Sequence, residues 1–255
     1  MGMEAGEGSF VARTDRIAPR TMKTLIALLA GAKFGKILLT SGTMLLSVVT
    51  YSFVYGWRYA AGFVGLIFCH EMGHFAAARQ RGLDVGAPTF IPFVGAWIQL
   101  KEQPMDVETE AYVAMAGPVV GTFAAMACFY AADATHSPLL RALAYAGLML
   151  NLFNLIPLSP LDGGRITSII SPKTWWIGAP MIVALFIWNH SPMLLLLAIL
   201  SVPHLLSTFR QGEPVMPSRY YEVPESTRWS YAAYYLLLAG FLGVMTYETH
   251  RAVGI

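Results

Sequence analysis

Residues 37–56 form a run of twenty without a single charged side chain. Twenty residues in an α-helix rise about 30 Å, the depth of a bilayer's hydrocarbon core. Comparable runs follow at 59–78, 111–132, 139–158, 175–189, 192–208 and 229–247. Such runs limit the fold sharply, because in hydrocarbon every backbone N–H and C=O has to be paired inside the protein, and a helix does this within one segment. Composition agrees: 13% of the 255 residues are charged and mean hydropathy is +0.54. Soluble domains carry about 25% charged residues. The chain is therefore expected to be an all-α polytopic membrane protein with six to seven transmembrane helices. If 175–208, which turns at Asn189-His190-Ser191-Pro192, is one re-entrant hairpin, six full crossings or fewer remain.

Charge asymmetry sets the orientation. With seven crossings and an inner N-terminus, fourteen of the seventeen Lys and Arg fall in inner segments, and only Arg58, Arg141 and Arg251 fall outside. Cytoplasmic loops collect basic residues, so the N-terminus is expected in the cytoplasm, in a multi-pass protein of the cell membrane. Residues 1–36 read as a cytoplasmic tail and an interfacial segment, with no secretory cleavage site ahead of the first run. Residues 37–170 read as a catalytic membrane core and 171–255 as C-terminal transmembrane helices. A net charge of +2 with scattered basic residues excludes a nucleic-acid partner. Cys69 and Cys128 lie in apolar runs and suggest neither a disulfide nor a cysteine-based zinc site. His136, His190 and His250 lie near run ends and read as solvated.

The segment between Arg81 and Glu110 reads as a loop of a different kind. Residues 84–103 are apolar and β-prone but broken by Gly86, Pro88, Pro92 and Gly95, which suits a membrane-dipping β element shielded by protein.

Only two acids fall within the runs and their immediate breaks, Glu71 and Asp162. A carboxylate at membrane depth is costly, so each is a functional candidate. Glu71 belongs to His70-Glu71-Met72-Gly73-His74, an HExxH pattern. On a helix the two imidazoles share a face and reach one zinc ion, and the carboxylate beside the first can act as general base on a water. Chance produces this pattern in about one in two hundred chains of such composition. A catalytic zinc needs a third protein ligand. Glu102, Glu108 and Glu110 are available in the next loop, but Asp162 is the stronger candidate. It follows Asn154-Leu155-Ile156-Pro157-Leu158-Ser159-Pro160-Leu161, where prolines end the helix and the glycines at 163 and 164 free the backbone to turn a carboxylate inward. Counting from an inner N-terminus, both sites reach the cytoplasmic end of their runs.

HEMGH in one core run, AGPVVG at 116–121 in the next and NLIPLSPLDGG at 154–164 in the one after resemble the site-2 protease family of intramembrane zinc metalloproteases. The resemblance covers about residues 37–170. It implies that His70, His74 and Asp162 bind zinc, that Glu71 is the catalytic acid/base, and that Asn154 lines the site and binds the substrate carbonyl. It also implies that 84–103 pairs with an unwound segment of a transmembrane protein substrate, cleaved near the cytoplasmic face in regulated intramembrane proteolysis. Any gating partner is unspecified. The glycines at 117 and 121 read as a packing stripe, against the HExxH helix. Two rivals stand beside this expectation. One is a non-catalytic membrane binding protein with a structural zinc site. The other is a different membrane HExxH peptidase that uses a loop Glu as third ligand.

Overall fold

A computed structural model describes residues 40–86, 89–91, 95–97, 106–210 and 218–253. The tail and interfacial segment expected at 1–36 lie outside the described residues, as do Glu102 and the rest of 84–103.

The described helices are α1 (40–55), α2 (Trp57–Gln80), α3 (Val107–Thr135), α4 (Pro138–Asn154), α5 (Asp162–Thr167), α6 (Trp175–Asn189), α7 (Pro192–Arg210) and α8 (Glu225–Val253). Between α2 and α3, β1 (Thr89–Ile91) pairs antiparallel with β2 (Gly95–Trp97), with Phe90 opposite Ala96. β2 lies against α2.

Two helix junctions use one tripeptide. His136-Ser137-Pro138 joins α3 to α4, and His190-Ser191-Pro192 joins α6 to α7. Each histidine is the C-cap in the left-handed region, with φ of 52°, and each proline opens the next helix, where a missing N–H costs nothing. The Ser137 side chain accepts from Leu140 N and caps α4. His250 departs from its expectation as a solvated residue. Because α8 continues to Val253 and packs on α4, its ring stands 5.4 Å from that of Tyr145, and Nδ1 is buried without a hydrogen-bond partner.

α3 starts earlier than the expected loop allowed. Asp106 accepts from Thr109 N at 2.7 Å, and Glu108 and Glu110 lie in the first turn, where the positive end of the helix favours them. This cap ends the loop at residue 106.

α2, α3 and α4 pack side by side, and α8 lies on α4. Helices in lipid gain little from burying apolar surface against each other, so close approach through small residues supplies the cohesion. Ala60, Ala111, Ala114, Ala125, Ala132 and Ala144 are fully buried, while Phe53 is 84% and Trp188 88% exposed. Leu148, Ile166, Ile169, Ile182 and Leu242 are fully buried beside these alanines, so the unusual feature is the exposed large apolar surface, which suits lipid. At the α2–α3 crossing, a Cβ on Gly73 would stand 2.4 Å from Ala116 O, so only glycine allows this separation. Ala114 and Ala125 of α3, Leu148 of α4, Ile166 of α5 and Leu242 of α8 form one buried cluster, which carries the short α5 into the centre of the molecule.

Among the described residues, two helices, Val107–Thr135 and Glu225–Ala252, are long and apolar enough to cross a membrane. α4, with 17 residues, and α6, with 15, fall short of the about 20 that a perpendicular crossing requires. Helix length and composition alone thus do not supply six to seven crossings.

Candidate metal centre

α2 has no interior break, so its 3.6-residue period stacks His70 over His74 on the face turned toward α3 and α4. Their Nε2 atoms are 3.1 Å apart and the rings meet edge to face. Asp162 enters from the other side. α4 ends at Asn154, the chain turns through 155–161, and Asp162 opens α5. The two glycines after it let α5 fold back on that turn. A Cβ on Gly163 would stand 2.2 Å from Leu155 O, and one on Gly164 2.3 Å from Ser159 N. Trp175 Nε1 pins the arrangement by donating to Gly164 O at 2.9 Å.

Asp162 Oδ2 consequently lies 3.1 Å from His70 Nε2 and 3.2 Å from His74 Nε2. All three residues are more than nine-tenths buried. Among the described residues this is the one group of three such side chains whose donor atoms converge, all within 4.8 Å of one another.

The far nitrogens decide what the cluster can hold. His74 Nδ1 lies 2.8 Å from Val113 O, and a carbonyl can only accept, so the proton is on Nδ1. His70 Nδ1 lies 2.8 Å from Asn151 Oδ1, and the Asn151 amide nitrogen donates to Gly147 O, which leaves Oδ1 as the acceptor and a proton on this Nδ1 too. In the neutral rings both Nε2 lone pairs then face each other and a carboxylate oxygen, in a triangle with no donor. A cation resolves that arrangement. Two imidazoles and one carboxylate are zinc donors, and zinc–ligand bonds of about 2.0–2.1 Å put tetrahedral ligands about 3.3 Å apart, close to the observed sides. Hydrogen bonds to the outer nitrogens are the usual means of orienting such ligands.

Glu71 is buried beside His70 and is not one of the three converging donors. Glu108 pairs with Arg81 at 3.6 Å, and Glu110 with Arg165 at 3.3 Å, so neither joins the cluster. Asn154 donates to Leu150 O at 3.2 Å. Asn151, one turn earlier and 1% exposed, is the residue that touches His70, and sequence reasoning overlooked it. An EF-hand or cysteine pattern announces its ligands by spacing, but a lone Asn inside a helix has no such signal. The Val113 carbonyl is backbone and has none at all. Of the glycine stripe, Gly117 packs on the HExxH helix as expected, where a Cβ on it would stand 2.2 Å from His74 Nε2, but Gly121 faces α4 instead, where a Cβ would stand 2.3 Å from Asn151 Oδ1.

Residues 58–137 match Peptidase family M50. The chain thus carries an M50 domain across α2 and α3, the segment that includes His70, Glu71 and His74 and stops short of Asp162. It is 29% identical over 163 residues to "Zinc metalloprotease MJ0392" of Methanocaldococcus jannaschii, covering 62% of this chain and 47% of that one. It is 33% identical over 128 residues to "Putative zinc metalloprotease Rip3" of Mycobacterium tuberculosis, covering 46% and 32% respectively. The chain thus spans less than half the length of these curated relatives. Among solved structures it is similar to "Site-2 Protease from Methanocaldococcus jannaschii", with a TM-score of 0.45 and 23% identity over 69% of this chain and 88% of that one.

Proposed function

We propose that the chain, with its M50 domain, is a zinc metalloendopeptidase of the site-2 type that hydrolyses a peptide bond in or near a transmembrane segment of a substrate protein, close to the cytoplasmic face. The observation that carries this reading is the convergence of His70 Nε2, His74 Nε2 and Asp162 Oδ2, with both outer nitrogens tied to acceptors and Glu71 beside them. The many exposed large apolar side chains, Phe53 and Trp188 among them, support an enzyme embedded in the bilayer. The fourteen-to-three bias of basic residues supports a multi-pass protein with a cytoplasmic N-terminus, in which α1, α2, α4 and the α6–α7 pair add to the two long apolar helices to make six to seven crossings.

His70, His74 and Asp162 would hold a zinc ion, which would supply Lewis acidity toward a carbonyl and a water. Glu71 takes the proton of the attacking water and returns it to the departing amine, a role worth about 10²–10⁴-fold in rate. Asn154 binds the substrate carbonyl. A transmembrane helix hides its peptide bonds in i to i−4 hydrogen bonds, so the substrate has to unwind, and the β1–β2 pair offers it an edge for β-addition.

The test is zinc content and cleavage of a panel of single-span substrates by the purified protein in detergent, comparing wild type with Glu71→Gln and Asp162→Ala. The reading requires the Gln variant to keep zinc and lose cleavage, and the Ala variant to lose both. If wild type binds zinc and the Gln change alters no activity, the zinc is structural and the chain is a binding protein. Zinc retained in the Ala variant assigns the third ligand to another acid.

A further inference from the structure

The two oxygens of Asp162 face different partners. Oδ2 meets both imidazoles, whereas Oδ1 lies 3.9 Å from Arg165 Nη1. Arg165 stands one turn along α5, and its other edge is engaged: Nε donates to Glu110 Oε1 at 3.3 Å. The second oxygen of Glu110 accepts a hydrogen bond from the Tyr220 hydroxyl. Tyr220 comes from the 3-10 turn Ser218–Tyr221 ahead of α8 and is buried against Val107, Ala111 and Ile169. Arg228 of α8 holds the same region by donating to Ile169 O, Ile170 O and Tyr221 O. Three parts of the chain, at 110, 162–165 and 220, therefore meet behind one oxygen of one carboxylate.

Resting on the zinc reading above, we propose that Arg165, aimed by Glu110 and Tyr220, is a positioning residue that holds back Oδ1 of Asp162 so that the carboxylate offers the metal one oxygen. A carboxylate can bind a metal through one oxygen or through both. A catalytic zinc needs a position left for water and substrate, and a second oxygen from Asp162 would take it. A guanidinium is permanently charged, and its rigid fork can serve two carboxylates at once. Left alone, an arginine one turn from Asp162 could swing away, and Glu110 prevents this. Glu110 in turn keeps its aim because Tyr220 stays a donor, burial and the adjacent carboxylate having pushed its phenol above the ordinary tyrosine range. A plain structural tie between α3 and α5 would need the Arg165–Glu110 pair but would leave the metal's coordination number unaffected, and this separates the two roles.

The experiment loads the full-length protein with Co2+, whose visible absorption is intense in four-coordinate and weak in five-coordinate sites, and compares wild type with Arg165→Met, Arg165→Lys, Glu110→Gln, Tyr220→Phe and Asp162→Ala. In Arg165→Met the absorption is expected to fall severalfold at unchanged metal stoichiometry, with cleavage down about 10–100-fold through kcat. Arg165→Lys restores part of both, and Glu110→Gln and Tyr220→Phe move the spectrum the same way by less. An unaltered spectrum in Arg165→Met with helix content preserved overturns the proposal. If that variant does not fold, unaltered spectra in both Glu110→Gln and Tyr220→Phe overturn it. A wild type that takes up neither Co2+ nor Zn2+ defeats the zinc reading itself. Uptake lost in Asp162→Ala but spectrally insensitive to Arg165 defeats the positioning role alone.

Discussion

Gly117 of α3 faces the His74 imidazole so closely that a Cβ at 117 would stand 2.2 Å from Nε2, the atom aimed at His70 and Asp162. The ring cannot retreat, because its other nitrogen is bonded to Val113 O on the same helix. Gly117→Ala should therefore weaken zinc binding about 10–100-fold while helix content is kept. Gly240→Ala in α8, with nothing within 4 Å of the added carbon, should leave zinc affinity alone and stabilise its helix by about 0.5–1 kcal/mol. Competition with a chromophoric chelator reads the first effect and thermal unfolding in detergent the second. Equal affinities in the two variants would refute the packing argument.

Two asparagines one turn apart should separate binding from catalysis. Asn151→Leu removes the acceptor that fixes the His70 tautomer, and zinc affinity is expected to fall about 10–100-fold. Asn154→Ala should keep zinc at the wild-type level and lower cleavage, if that side chain binds the substrate carbonyl. Zinc loss in Asn154→Ala, or none in Asn151→Leu, would reverse the two assignments.

Proline in the strand pair tests the substrate edge. Phe90 and Ala96 are cross-strand partners, and Phe90→Pro with Ala96→Pro deletes an N–H from each strand. Cleavage of helical single-span substrates should be abolished with zinc content unchanged. Undiminished cleavage by the double variant would remove β-addition from the mechanism.

Arg228→Ala should lower stability without touching the metal. Its guanidinium donates to three backbone carbonyls, at 2.8, 3.1 and 2.5 Å. A partly buried charge-assisted group of this kind contributes about 1.5–3 kcal/mol. A lowered unfolding temperature with unchanged zinc stoichiometry is the expected result. An unchanged unfolding temperature would mean that water takes over all three carbonyls.

The pair His70 and His74 was legible because helical spacing converts a five-letter pattern into a shared face, and Asp162 because an acid in the break directly after an apolar run is conspicuous. The run lengths anticipated the helices, since hydrocarbon leaves the backbone few alternatives. Their ends were less legible. The Asp106 cap is short-range hydrogen bonding inside what read as a β-prone loop, and it moved Glu108 and Glu110 from candidate ligands to the first turn of α3, opposite Arg81 and Arg165. Arg165 itself read only as a cytoplasmic charge. Its part at Asp162 depends on Glu110, 55 positions away, and on Tyr220, 110 positions from Glu110, distances that no local pattern spans. Asn151 and the Val113 carbonyl escaped for the related reason that they act on the histidines through a packing interface.

Asp162 comes 92 positions after His70 in the chain and is brought to it only once α3, α4 and the turn at 155–161 are in place. A ribosome that has finished the HExxH helix has therefore made two of the three converging donors, with Glu71 beside them, but not the third. Synthesis must run through the whole central bundle before the third donor arrives. On the zinc reading proposed above, a nascent chain that stops short of residue 162 cannot complete the centre.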